Sequence, residues 1–188
     1  MIQLSALLWT FAIVFSVVGY MRGLSKELIS LSGIILALFA LFQFDHLLRD
    51  VLLANVPREQ QFLVQILIFI AIVFFAYQTR AFGRRIPGGD RPLEGRESRE
   101  GRDSLQSTVL GAVVGFVNGY LIWGSIWYFM DINAYPLTPY ISAPPAGSPS
   151  AALITSLPLY VLAGGPNGDG NLLAFLVIIL FVFVLILI

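Results

Sequence analysis

Apolar residues in this chain do not recur with a strand or amphipathic-helix period; they run in long uncharged blocks, the pattern of helices whose surroundings are hydrocarbon. The first block covers 2–20 and is interrupted only by the weakly polar Gln3, Ser5, Thr10 and Ser16. Others follow at about 28–44, 62–77 and 108–130, and a last one runs over 171–188. A helix needs about 20 residues to cross the hydrocarbon core. The second and third blocks must therefore take in flanking residues such as Lys26 and Glu27, or Gln61 and Gln78. The pattern predicts an all-α, polytopic transmembrane helical bundle of about five spans.

Between the blocks the charges are sorted. Arg22 and Lys26 follow the first block, whereas a cleavable signal carries its charge ahead of its apolar core, so this block reads as an anchor with the N-terminus outside. The loop 79–106 holds Arg80, Arg84, Arg85, Arg91, Arg96, Arg99 and Arg102; with Arg22 and Lys26 these make nine of the eleven basic residues. Arg49 and Arg58 lie in the second loop, and 131–170 has no Lys or Arg. Basic residues collect in cytoplasmic loops, which gives N-terminus out and C-terminus in.

Three parts follow: a four-helix membrane domain over 1–130, an outer Pro/Gly-rich loop over 131–170, and a C-terminal transmembrane helix over 171–188. The loop 79–106 has seven arginines, five carboxylates and no apolar period, and reads as a solvated linker or a docking segment for a cytoplasmic partner. The outer loop contains seven of the ten prolines, which rules out a continuous helix. Its stretch AALITSLPLYVLAG, 151–164, is too short to span. It is expected to lie in the interface or to dip in and return, with Tyr160 at headgroup level. Asp169 or Asn171 is expected to cap the final helix.

Composition narrows the chemistry. With 57% hydrophobic residues, mean hydropathy +0.84 and zero formal charge, the chain has no bulk attraction for nucleic acid, and none is expected as a partner. There is no cysteine, so disulfides and thiolate nucleophiles are excluded. GGDRPLEG lacks the lysine and preceding strand of a phosphate cradle, and no nucleophile elbow or dinucleotide fingerprint is present. His46, beside Asp45, has no second ligand and reads as a solvated boundary side chain. No catalytic residue, metal or cofactor is expected; bound lipid, quinone or pigment stays open, because apolar grooves leave no motif.

The most informative feature is the row Gly111, Gly115 and Gly119 in the fourth block. Four residues advance a helix by about 400°, so the three form one groove into which another backbone can pack. Facing surfaces are offered by Gly33 and Ala37 in the second block and by Gly19 with Gly23 at the end of the first. Asn118 can hydrogen-bond across such a contact. Trp123 and Trp127 read as belt anchors at the outer boundary. None of the five blocks contains an ionisable residue of the kind that proton relays use. The last block has no small or polar stripe, which places it at the periphery.

The stretch GYMRGLSKELISLSG, 19–33, resembles the G-x-x-R-G-x-x-x-E signature of the colicin V production protein (CvpA) family, with Gly19, Arg22, Gly23 and Glu27 at the matching positions. A second similarity lies in the glycine-rich helix after a charged loop, where Gly111, Gly115 and Gly119 stand. Together the likeness covers about 1–130. It implies a small inner-membrane protein linked to colicin V secretion and envelope processes, with no enzymatic activity. At the turn, Arg22 is expected to snorkel to phosphates and Glu27 to complement a helix N-terminus. The outer loop and fifth helix depart from the family's four-span pattern.

The leading functional reading is a non-enzymatic membrane scaffold that binds other membrane protein subunits within the lipid bilayer. One alternative is an accessory subunit stabilising a larger respiratory or photosynthetic complex. The other is a component of an oligomeric channel, transporter or secretion system, its pathway lined by Asn118, Gln65 and Ser125.

Overall fold

The computed structural model describes residues 3–78 and 97–187, with side-chain surroundings over 3–78 and 105–182. The chain is all-helical over these residues. In order come α1 (Leu4–Arg22), α2 (Leu24–Gln43), a π-helical turn (Leu47–Leu52), α3 (Arg58–Gln78), α4 (Glu97–Ile132), α5 (Pro149–Leu153), a 3-10 turn (Ile154–Ser156), α6 (Pro158–Ala163) and α7 (Asn171–Leu187). Four of these, α1, α2, α3 and α4 from Leu105 onward, are long and apolar enough to cross a membrane. α7 is a shorter apolar helix of 17 residues. The chain is a multi-pass membrane protein.

Helix ends follow local chemistry. α1 and α2 are separated by Gly23 alone, whose φ of +79° is a conformation that residues with a Cβ resist. Its N–H donates to Gly19 O at 2.9 Å and closes α1. α5 and α6 each begin with proline in the first turn, where the missing N–H costs nothing. Ser148 caps α5 by accepting from the Ala151 N–H at 3.2 Å. Asp169 accepts from the Asn171 N–H at 3.2 Å at the start of α7, one of the two capping residues expected there.

α4 is the central element. It packs along α1 on one side and against α2 on another, while α2 also carries α3 and α7, and α6 bridges α4 and α7. Large side chains closed off between these helices include Leu8, Ile34, Leu38, Phe69, Trp127, Met130, Leu157 and Leu173.

Several expectations change. The loop placed at 79–106 is helical from Glu97, because the fourth span's helix runs on past the apolar block; its earlier part, with Arg80, Arg84, Arg85, Arg91 and Arg96, lies outside the described residues, as do the side chains of Arg99 and Arg102. Trp127 is not a belt anchor: it is fully buried and its Nε1 donates to Tyr135 Oη at 3.1 Å. Trp123 lies flat on Phe11 of α1, with ring centroids 4.7 Å apart. The segment 151–164 folds into the tail of α5, the 3-10 turn and α6, and docks on the bundle: Pro158 covers Gly124, and Tyr160 donates to Asp131 Oδ2 at 2.6 Å.

Candidate functional site: a buried clasp at the α1–α2 turn

The glycine row on α4 faces α1. A Cβ on Gly111 would stand 2.8 Å from Gly23 C, and one on Gly119 2.7 Å from Phe11 O. A Cβ on Gly115 would overlap Phe15 O and stand 2.9 Å from Gly19 Cα. The three glycines therefore step along α1 in antiparallel register, from Gly23 past Gly19 and Phe15 to Phe11. Backbone meets backbone along the seam, where close van der Waals contact replaces the hydrophobic drive that lipid removes. Trp9 stacks beside it on Phe116 and Tyr120.

Of the two facing surfaces expected for this row, the structure uses one. Gly19 and Gly23 meet α4. Gly33 meets Ala76 of α3 instead, and Ala37 is fully buried on α2. α2 thus turns its own small residue toward a different neighbour.

Below the seam the signature residues close on one another. Glu27 lies in the first turn of α2 with no exposure. Its Oε1 accepts from Arg22 Nη1 at 2.5 Å. Its Oε2 accepts from Asn118 Nδ2 at 2.7 Å and from Tyr77 Oη at 3.3 Å. Asn118 also donates to the Glu27 backbone oxygen at 3.2 Å. Arg22 reaches on to Ser30 Oγ and to Tyr77 O, each at 3.1 Å, with its guanidinium 4.4 Å from the Tyr77 ring centre. One ion pair thereby ties together α1, α2, α3 and α4.

This geometry explains the spacing of Gly19, Arg22, Gly23 and Glu27. Gly19 and Gly23, four apart, share the face that α4 approaches, and Gly23 also supplies the positive φ that ends α1. With a one-residue break, Arg22 leaves the last turn of α1 within reach of the first turn of α2, where Glu27 stands. Two expectations are corrected. Arg22 does not snorkel away from the bundle, since a buried carboxylate offers it a stronger partner than solvent. An ionisable residue does lie inside a span: α2 starts at Leu24, not near residue 28, and takes Glu27 in.

A second polar cluster sits at the other end of α2, α3 and α4, where no spacing in the chain points to it. Gln65, nearly fully buried, donates to Asp45 Oδ1 at 2.9 Å and accepts from Asn133 Nδ2 at 2.8 Å. Arg49 stands 3.7 Å from the other Asp45 oxygen. Burial pushes the Asp45 carboxyl above the ordinary range and Asp50 adds to this, while Arg49 and the Gln65 hydrogen bond pull the other way. His46 is exposed, 3.6 Å from Asp50. Between the clusters the interior is apolar, filled by Ile34, Leu38, Phe69 and Phe129. Asn118, Gln65 and Ser125 thus line no common path: each is buried with a different partner, Ser125 donating to Leu121 O of its own helix at 2.6 Å.

Residues 4–86 match the family model described as Colicin V production protein. No curated protein and no solved structure matches the chain. The match takes in α1, α2 and α3, and with them Gly19, Arg22, Gly23, Glu27, Ser30 and Tyr77; it stops before α4, so Asn118 and the glycine row complete the clasp from beyond it. Over residues 4–86, a little under half of its length, this chain is similar to the Colicin V production protein family.

Proposed function

We propose that this protein is a non-enzymatic scaffold of a bacterial cytoplasmic membrane that works by holding other membrane proteins, with its N-terminus outside and its C-terminus inside. The observation that carries the reading is the closure of the signature. Arg22, Glu27, Ser30, Tyr77 and Asn118 spend their polar atoms largely on one another among the described residues. What the bundle offers to its surroundings is its outer surface, on which Leu67, Phe75, Val113, Phe175 and Ile178 stand exposed. The orientation rests on the excess of Lys and Arg in alternate loops.

Photo-crosslinking in native membranes tests this. A crosslinker at Val113, Leu67 or Phe175 should capture discrete protein partners from at least one face. Products made only with lipid at all three positions would defeat the scaffold reading.

A second reading, a channel or transporter component, is favoured by one observation: a buried ionisable pair among membrane helices is a usual mark of an ion pathway. The apolar packing between the two polar clusters argues against a path through a single chain. Flux across proteoliposomes of the purified protein, lost in Glu27→Gln, would support this alternative.

A further inference from the structure

α7 leaves a slot where it crosses α2. Its start is pinned, with Leu173 fully buried and Gly170 so close under the Phe42 ring that a Cβ would overlap it. Further along, α7 and α2 stand apart around a space of about 200 Å³ lined by Ser32 and Leu36 of α2 and by Val177, Leu180 and Phe181 of α7. Ser32 donates its hydroxyl proton to Leu28 O at 2.9 Å, so the single polar lining residue is satisfied within its own helix. Leu36 and Phe181 are 54% and 62% exposed, which opens the slot sideways into whatever surrounds the helices.

We propose that this slot holds one acyl chain of a membrane phospholipid as a resident ligand. The lining covers four residues of rise on each helix, about 6 Å. A partner helix with side chains is about 10 to 12 Å across and does not enter; a polymethylene chain does. Water is poorly held there, since Ser32 Oγ, its proton already given to Leu28 O, is the one polar side-chain atom in the lining and a buried water needs about two to four polar partners. The position also suits a headgroup. Lys26 precedes Ser32 by six residues, about 9 Å along α2, and is exposed. Ser25 lies seven residues before Ser32, hence on the same face of the helix, and is exposed too. A tail in the slot thus belongs to a lipid of the leaflet at the α1–α2 turn, its phosphate within reach of an ammonium and a hydroxyl, and anionic headgroups are preferred.

Native mass spectrometry of the full chain, washed in detergent until bulk lipid is gone, tests the proposal. Wild type should retain one phospholipid per chain. Leu36→Trp and Val177→Phe, which fill the slot, should lower that occupancy at least tenfold, and Leu67→Trp on the exposed face of α3 should not. Lys26→Gln should keep the lipid but reduce the preference for anionic headgroups several-fold. Equal retention in the filled variants, or none in wild type, overturns the assignment. Should the filled variants fail to fold, a phospholipid with a diazirine in its tail, added to wild type, gives the answer: labelling concentrated at 32–36 and 177–181 supports the slot. Labelling spread evenly over α1 and α3, or a protein crosslinked at Leu36, overturns it.

Discussion

Removing the carboxylate of Glu27 is the sharpest perturbation of the clasp. In Glu27→Ala the Arg22 guanidinium keeps Ser30 Oγ and Tyr77 O but loses its counter-charge, and Asn118 Nδ2 keeps only the backbone oxygen of residue 27. Breaking a buried pair by deleting one partner costs about 3 to 5 kcal/mol. Arg22 retains 19% side-chain exposure and can turn partly toward solvent or lipid headgroups, which places the expected loss near the lower end, about 3 kcal/mol. Arg22→Ala strands a carboxylate with no exposure, so its cost should be at least as large. The pair replaced together, Arg22→Met with Glu27→Met, removes both charges at once and should lie at least about 2 kcal/mol above the sum of the losses in Arg22→Met and Glu27→Met alone, since apolar replacements of buried pairs are often close to neutral. Reversible unfolding in mixed micelles, followed by tryptophan fluorescence, supplies all the legs of this cycle. Single variants within about 0.5 kcal/mol of wild type, or strictly additive effects, would show that the clasp does not hold the helices together.

Other consequences follow from particular contacts. Gly115→Leu should separate α1 from α4 and destabilise the fold by at least about 1 to 3 kcal/mol, because its side chain would meet the backbone of Phe15 and Gly19, while Val113→Leu on the exposed face of α4 should change little; equal stabilities in the same unfolding assay would refute the seam. Asp45 is held above its ordinary range mainly by burial, so the folded state binds its proton more tightly than the unfolded chain does. Its contribution to stability is fully present below the ordinary carboxylate range and is lost as pH rises through the raised value. Asp45→Asn, which still accepts from Gln65, should therefore gain melting temperature relative to wild type as pH rises through that window, and a difference that is flat with pH would contradict this. A cysteine at Tyr140, which is 88% exposed, should react with an impermeant maleimide in intact cells and one at Lys26 should not; the reverse pattern would invert the topology.

Much of the architecture could be read from the sequence because lipid imposes long apolar blocks, and α1, α3 and α4 sit where those blocks lie. The seam was legible for a similar reason: three glycines four apart leave a helix few uses other than a close backbone contact. Glu27 was not legible as a buried group. A carboxylate beside Lys26 reads as a first-turn residue at the membrane edge, and no spacing in the chain brings Tyr77 and Asn118 to it. Trp127 misled because its place near the end of an apolar block suits a belt anchor. Its burial depends on Tyr135 and on the 131–170 segment folding back, neither of which a local pattern shows. The Asp45–Gln65–Asn133 cluster joins residues up to 88 positions apart, with no spacing to connect them.

The scaffold reading is tested most directly by purifying the tagged chain from its native membrane in mild detergent and quantifying what comes with it by mass spectrometry. Defined membrane-protein partners should come with it at fixed stoichiometry and be diminished when Gly115→Leu opens the α1–α4 seam. A chain that emerges alone, or only with copies of itself, and that supports ion flux in proteoliposomes would contradict it.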